Sequence, residues 1–222
     1  MITAIVLAAG KSKRFGKSNK LLASYKKNLV LNYTLNKILK SKVDEVLLVT
    51  GYQNNKIQNQ FKKYSNIKFL FNKNFNKGMS SSIKLGLKNM NKKTKGFMIC
   101  LGDMPKISTR VYDQIISKFK KIKNYPVVPY NHSKQGNPVC FPIKLKRKLI
   151  KINGDQGAKK VLKHCKFKKI FFPTLHPWNI VAGLGGGAFY LAWTIRVSNR
   201  PQMIVNAVAI TIGLAGLYKA WA

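Results

Sequence analysis

Residues 3–22 read TAIVLAAGKSKRFGKSNKLL, and this stretch decides the fold. Its opening, Thr3–Ala9, is an apolar run rich in β-branched residues, as a buried strand is. It passes without a spacer into a turn holding Gly10, Gly16 and the cations Lys11, Lys13, Arg14, Lys17 and Lys20. A strand that empties into such a turn lets backbone N–H groups approach an anion while nearby cations neutralise it, so phosphate is the expected ligand. The spacing is not that of a P-loop, because five residues separate Gly10 from Gly16 where that loop has four. Nor is it a dinucleotide fingerprint, since Ala8 and Ala9 stand where a glycine is needed. The segment also lacks the basic start, long apolar centre and small-residue cleavage site of a secretory signal.

The same strand-then-helix rhythm repeats downstream. Strand-like runs occur at Glu45–Thr50, Ile67–Asn72, Gly96–Leu101, Tyr125–Tyr130 and Ile170–Phe172. Helical spacing fills the intervals. Leu29–Leu39 is one such segment, Ile83, Leu87 and Met90 mark a second, and Val111–Ile122 is a third. This alternation predicts an α/β protein with a mostly parallel sheet and helices on both faces, its sites at the carboxyl ends of strands.

Charge and composition bound the partners. Lys and Arg total 42 against five acids in 222 residues, a formal net charge of +37. At 45% hydrophobic content the chain is too apolar for a disordered polycation, and its lysines are spread rather than clustered. Nucleic acid is therefore not the expected partner, whereas small anionic substrates suit the field. Three isolated cysteines (Cys100, Cys140, Cys165) and three unspaced histidines (His132, His164, His176) give neither a disulfide framework nor a zinc site, as in a cytoplasmic protein.

Composition breaks near residue 176. All but three of the basic residues precede it, and the remainder carries only Arg196, Arg200 and Lys219. Two apolar runs, 179–195 and 203–222, approach bilayer-spanning length. Residues 175–222 are thus expected to form a separate tail, read as a helical membrane hairpin or a foreign addition.

Scarcity makes each acid informative. Asp44 and Glu45 read as a solvated turn before a strand, and Asp113 as the polar face of a helix. Asp103 is different, for the strand GFMICL ends in Gly102-Asp103-Met104-Pro105 and so puts a lone carboxylate at a strand's carboxyl edge. A Mg²⁺ bridging nucleotide phosphates would sit there. Two further clusters stand at helix starts. Gly78-Met79-Ser80-Ser81-Ser82 offers serines to cap the free N–H groups of a helix or to share them with an anion. Gly154-Asp155-Gln156-Gly157-Ala158 opens another helix, and between them Gln135-Gly136-Asn137-Pro138 leads into a short strand.

In this order the motifs resemble the MobA-like nucleotidyltransferases, and within them the molybdenum cofactor cytidylyltransferases. LAAGKSKRFGKSNKLL, VTGY at Val49–Tyr52, the stretch from Asn72 ending in GMSSS, CLGDMP, QGNPVCF and GDQGAKKVL carry the resemblance over residues 1–174. It implies a Rossmann-like α/β domain in which Leu7, Ala8, Ala9, Gly10 and Gly51 cradle CTP, Arg14 and Lys20 neutralise its phosphates, and Asp103 holds Mg²⁺. Gly78, Ser80, Ser81, Ser82, Gly136, Asn137, Asp155 and Gly157 are implied to bind the acceptor. That acceptor would be molybdopterin or its molybdenum form, whose terminal phosphate displaces pyrophosphate from CTP, with a molybdoenzyme or its chaperone as the recipient partner. The family would continue after KIFFPT into an Asp-x-Asp-Thr-Pro-type segment bringing a second metal ligand. Here Leu175-His176-Pro177-Trp178 leads into the apolar tail instead.

Overall fold

The structure, a computed structural model, describes residues 1–12, 18–131, 134–155 and 157–172. In chain order the elements are β1 (Ile2–Ala8), β2 (Ser24–Tyr25), β3 (Asn28–Leu29), α1 (Val30–Leu39), β4 (Glu45–Thr50), α2 (Asn54–Phe61), β5 (Ile67–Phe71), α3 (Met79–Asn89), β6 (Gly96–Leu101), α4 (Thr109–Ile122), β7 (Val127–Asn131), β8 (Lys134–Gln135), β9 (Val139–Pro142), α5 (Lys146–Ile150), α6 (Lys159–Leu162) and β10 (Lys168–Phe171).

One mixed, mostly parallel sheet organises them in the order β10-β7-β9-β6-β1-β4-β5, with β8 beside β7. β1 pairs in parallel with β4 and β6, and β4 with β5. β9 is antiparallel to both β6 and β7, while β10 runs parallel to β7 at the edge. The middle strands are buried on both faces, as a sheet covered by helices requires. Ile5 joins Leu47, Phe97 and Ile99 in a core cluster with Ile83 and Leu87 of α3, each of the two helix residues contributing about 1.5–3 kcal/mol by burial. Neighbouring Ala4 and Val6 point to the opposite face by strand alternation and are equally buried.

Boundaries shift where local chemistry demands it. The strand expected from Tyr125 begins at Val127, because Pro126 has no N–H to give a ladder. Strand β10 occupies Lys168–Phe171 rather than Ile170–Phe172, since an edge tolerates lysines. Helix α2 had no counterpart in the sequence reading: NNKIQNQF offers only Ile57 and Phe61, four residues apart and both buried. Asp44 and Glu45 are not a free solvated turn. Asp44 Oδ2 accepts the Ile2 N–H at 2.6 Å and Glu45 Oε2 accepts the Thr3 hydroxyl at 2.8 Å, tying β4 to β1.

The described residues contain no helix long and apolar enough to cross a membrane. The tail expected to form a hairpin lies outside them.

What places the site is the path of the chain. It steps outward from β1 to β4 and β5, then returns through α3 to β6 on the other side of β1. The connections leaving β1 and β6 therefore diverge, and ligands of open α/β sheets bind in the crevice beyond such strand ends.

Candidate functional site

The ends of β1 and β6 form the floor of that crevice. They are joined beyond the ladder, for the Gly102 N–H donates to the Leu7 carbonyl at 3.0 Å. Leu7, Ala8 and Ala9 run along this floor to the exposed Gly10, and Asp103 follows Gly102 at the rim. Lys20 enters from a short helical turn, Lys20–Leu22, whose start is held by the Asn19 Oδ1 accepting the Leu21 N–H at 3.1 Å. The Lys20 Nζ donates to Asp103 Oδ2 at 2.8 Å, with both side chains about two-fifths exposed. The expected lysine and carboxylate thus meet. Arg14, with Lys13 and Lys17, lies outside the described residues.

The third wall is the end of β4. The Tyr52 N–H donates to the Ala9 carbonyl at 3.1 Å, drawing the β4 loop against the β1 loop. Gly51 is required there, since a Cβ would stand 2.6 Å from that of Phe75 and 2.8 Å from that of Ala9. Lys11 Nζ lies 5.7 Å from the centroid of the Phe75 ring, a cation–π contact that joins the glycine turn to this wall.

Asn19 was passed over in the sequence. It is 4% exposed, and its Nδ2 has no hydrogen-bond partner among the described residues. Its only sequence signal is its position just before the lysine.

The GMSSS segment departs from expectation. Its serines do not cap α3; Gly78 is the cap residue, at φ 91°, and Ser80 and Ser82 are buried. The first N–H groups are taken by the GDQGA loop. Met79 N–H donates to Asp155 Oδ1 at 3.3 Å and Ser80 N–H to the Gly154 carbonyl at 3.1 Å. Asp155 is therefore the helix cap that the serines were expected to be, and these amides are not open to an anion. The serines are instead organised by the buried Asn72, whose Nδ2 donates to Ser81 Oγ at 2.8 Å and to Ser82 Oγ at 2.9 Å. Asn72 opened the recognised stretch but had been given no role.

Of the eight residues expected to bind an acceptor, Gly78, Ser82, Gly136 and Asp155 line neither of two hollows, and the other four divide between them. Asn137 and Gly157 line a cleft of about 320 Å³ with Met79, Leu101, Val139 and Lys159, directly beside the carboxyl end of β6. Ser80 and Ser81 line a different cavity, together with Lys84 of α3. Gly136 lines neither, its N–H donating to the Pro129 carbonyl at 2.8 Å.

Among the described residues no three His, Cys, Asp or Glu side chains come together. Among the described residues Asp103 is the carboxylate at the rim of the crevice. That suits a Mg²⁺ that keeps several waters and takes phosphate oxygens from a nucleotide, and does not suit an all-protein metal cage. Burial pushes the thiols of Cys100 on β6 and Cys140 on β9 well up, and so keeps them protonated and unreactive. Neither is a nucleophile for this site.

A glycine turn, a lysine and a carboxylate at this switch point put the domain in the nucleotidyltransferase-like class of α/β folds. Residues 4–169 match the MobA-like NTP transferase domain, and the chain belongs to that family. It is 25% identical over 139 residues to the molybdenum cofactor cytidylyltransferase of Escherichia coli (strain K12), covering 62% of this chain and 68% of that protein. It is 28% identical over 120 residues to a probable molybdenum cofactor guanylyltransferase of Methanosarcina mazei, covering 52% of each. Among solved structures the fold is similar to Rv0371c of Mycobacterium tuberculosis (TM-score 0.69, 22% identity, 78% of this chain and 89% of that one). That protein is also known as a complex with manganese. The fold is likewise similar to 4-diphosphocytidyl-2C-methyl-D-erythritol synthase of Anaerococcus prevotii (TM-score 0.62, 20% identity, 77% and 86%).

Proposed function

We propose that this nucleotidyltransferase moves CMP from CTP to the terminal phosphate of a molybdopterin-type acceptor. An acceptor phosphate oxygen forms a bond to the α-phosphorus of CTP, the bond from that phosphorus to the bridging oxygen breaks, and pyrophosphate leaves with its electron pair. No protein nucleophile is needed, so catalysis is positioning and charge neutralisation.

The observation that carries this reading is the Lys20–Asp103 pair at the β1/β6 switch point, two residues along the chain from Leu101 in the acceptor-sized cleft. Lys20 is the donor for triphosphate oxygens, with Arg14 assigned the same role by its place in the glycine turn. Asp103 would hold Mg²⁺, which when bound supplies positive charge to the phosphates. Leu7–Gly10 and Gly51 pack against the nucleoside end. Asn137 and Gly157 face the acceptor, while Gly78, Asp155, Ser82 and Gly136 shape the wall behind them. On this reading residues 1–174 carry the reaction and 175–222 are a separate addition, so a chain ending at Thr174 keeps CTP binding.

The test is pyrophosphate release from CTP, GTP and ATP in competition, with molybdopterin as acceptor and Mg²⁺ present. CTP is expected to win. A preference for GTP would make the protein a guanylyltransferase of the same family, and absence of release with all three would refute transfer.

A further inference from the structure

On α3, away from the Lys20–Asp103 pair, lies a cavity of about 410 Å³ whose lining includes Lys77, Lys84 and Lys88. We propose that it is a second anion site, taking a compound with two or more linked phosphate groups.

Two of the lysines share a helix face, and the third comes from the turn before it. Lys84 and Lys88 are one helical turn apart, about 6 Å along the axis, and Lys77 ends the short helical turn that precedes Gly78. Like charges at i and i+4 work against a helix, so the Lys84–Lys88 pair is a cost to α3 unless an anion meets it. Among the described residues no acid lines the cavity. Each of the five acids already has a partner, including Asp155, which follows the lining residue Gly154. Asp44, Glu45 and Asp103 hold Ile2, Thr3 and Lys20, Asp113 accepts the Lys42 N–H, and Asp155 caps Met79.

Apart from Leu85 and Gly154, the remaining lining residues carry hydrogen-bonding side chains. Asn72, Asn74, Asn153, Ser80 and Ser81 supply amides and hydroxyls, and Lys84 Nζ is already steadied at 2.8 Å by Asn153 Oδ1. The helix N-terminus contributes nothing, its first amides being spent on Asp155 and Gly154. Two other acid-free hollows hold Lys148, Lys151 and Lys160, and Lys95, Lys120, Lys123 and Lys144, but their remaining walls are mostly apolar, whereas amides and hydroxyls gather in the α3 cavity. A larger basic hollow on α4, with Lys118 and Lys121, contains Asp113 and an apolar side of Ile122, Ile170 and Phe171. The α3 cavity falls in the size range of small-molecule sites, and three ammonium groups around it suit linked phosphates better than a single one. Pyrophosphate, the leaving group of the proposed reaction, has this chemistry; the choice of that anion rests on the proposed reaction, whereas the site does not.

Calorimetric titration of the full chain with pyrophosphate, at fixed ionic strength, tests it. Two classes of site are expected. Lys20→Ala should weaken one, and Lys84→Gln with Lys88→Gln should weaken the other at least about tenfold while CTP binding stays unchanged. Lys118→Gln with Lys121→Gln, removing equal charge from α4, should leave both unchanged, and orthophosphate should bind the α3 site at least about tenfold more weakly than pyrophosphate. Should the α3 pair not fold, Lys77→Gln with Lys88→Gln replaces it. A single class of site, indifference to the α3 substitutions, equal weakening by the α4 pair, or equal affinity for orthophosphate would each overturn the proposal. If Lys20→Ala leaves CTP binding intact while the α3 pair removes one pyrophosphate class, the proposed function fails and this site stands.

Discussion

Lys20 and Asp103, separated by 83 positions in the chain, meet at 2.8 Å over the β1/β6 crevice. With both side chains about two-fifths exposed, the pair adds little to stability, on the order of 0–1 kcal/mol after solvent screening. Its place at the strand ends, rather than its strength, gives it meaning.

Asp103→Ala and Lys20→Ala are each expected to lower transfer by about a hundredfold or more, from lost phosphate-charge neutralisation. Thermal melting should move by no more than the small value of the pair. A variant within about tenfold of the parent rate would remove that residue from the mechanism.

Gly78 and Gly154 predict unequal outcomes from the same substitution. A Cβ on Gly78, at φ 91°, would stand 2.6 Å from the Asp155 nitrogen and against the Gly154 backbone. Gly154, at φ 64°, has nothing within 4 Å of its own Cβ position. Gly154→Ala should therefore cost only about 1 kcal/mol, the conformational penalty, and Gly78→Ala about 2–3 kcal/mol plus loss of the Asp155 cap. Urea denaturation of both proteins compares them, and equal midpoints would contradict the close approach.

Asn72→Ala removes the amide that donates to both Ser81 and Ser82 from a site that is 4% exposed. A loss of about 1–3 kcal/mol is expected in chemical denaturation, with slower transfer because the segment facing the acceptor cleft loosens. Unchanged stability would mean that the serines re-pair without it.

Alkylation should separate the cysteines. Burial raises the thiols of Cys100 and Cys140, while Cys165 is raised by burial against an opposing pull from Lys148 and is only partly covered. Cys165 is expected to react first, and the other two only on unfolding. Because the folded state favours the neutral thiols, their contribution to stability is intact below the ordinary thiol value of 9.0 and falls as the pH rises above it. Reaction of all three at one rate in the folded protein would contradict the buried assignment.

The sequence by itself determined the strand-and-helix rhythm, the glycine turn after β1 and the lone carboxylate after β6, and these are what the family match rests on. All are local signals, set by side-chain alternation, helical spacing and the backbone freedom of glycine. Helix α2 escaped because two apolar residues in an asparagine-rich run make a weak pattern, and its burial is decided by what packs against it. Only the tertiary structure decided which motifs share a surface. It spent Asp155 on capping a helix 76 residues away, gave Asn72 the serines, and sent Ser80 and Asn137 into separate hollows. Strand order and the burial of unpaired polar groups fix such pairings, and neither is written in any short stretch of chain.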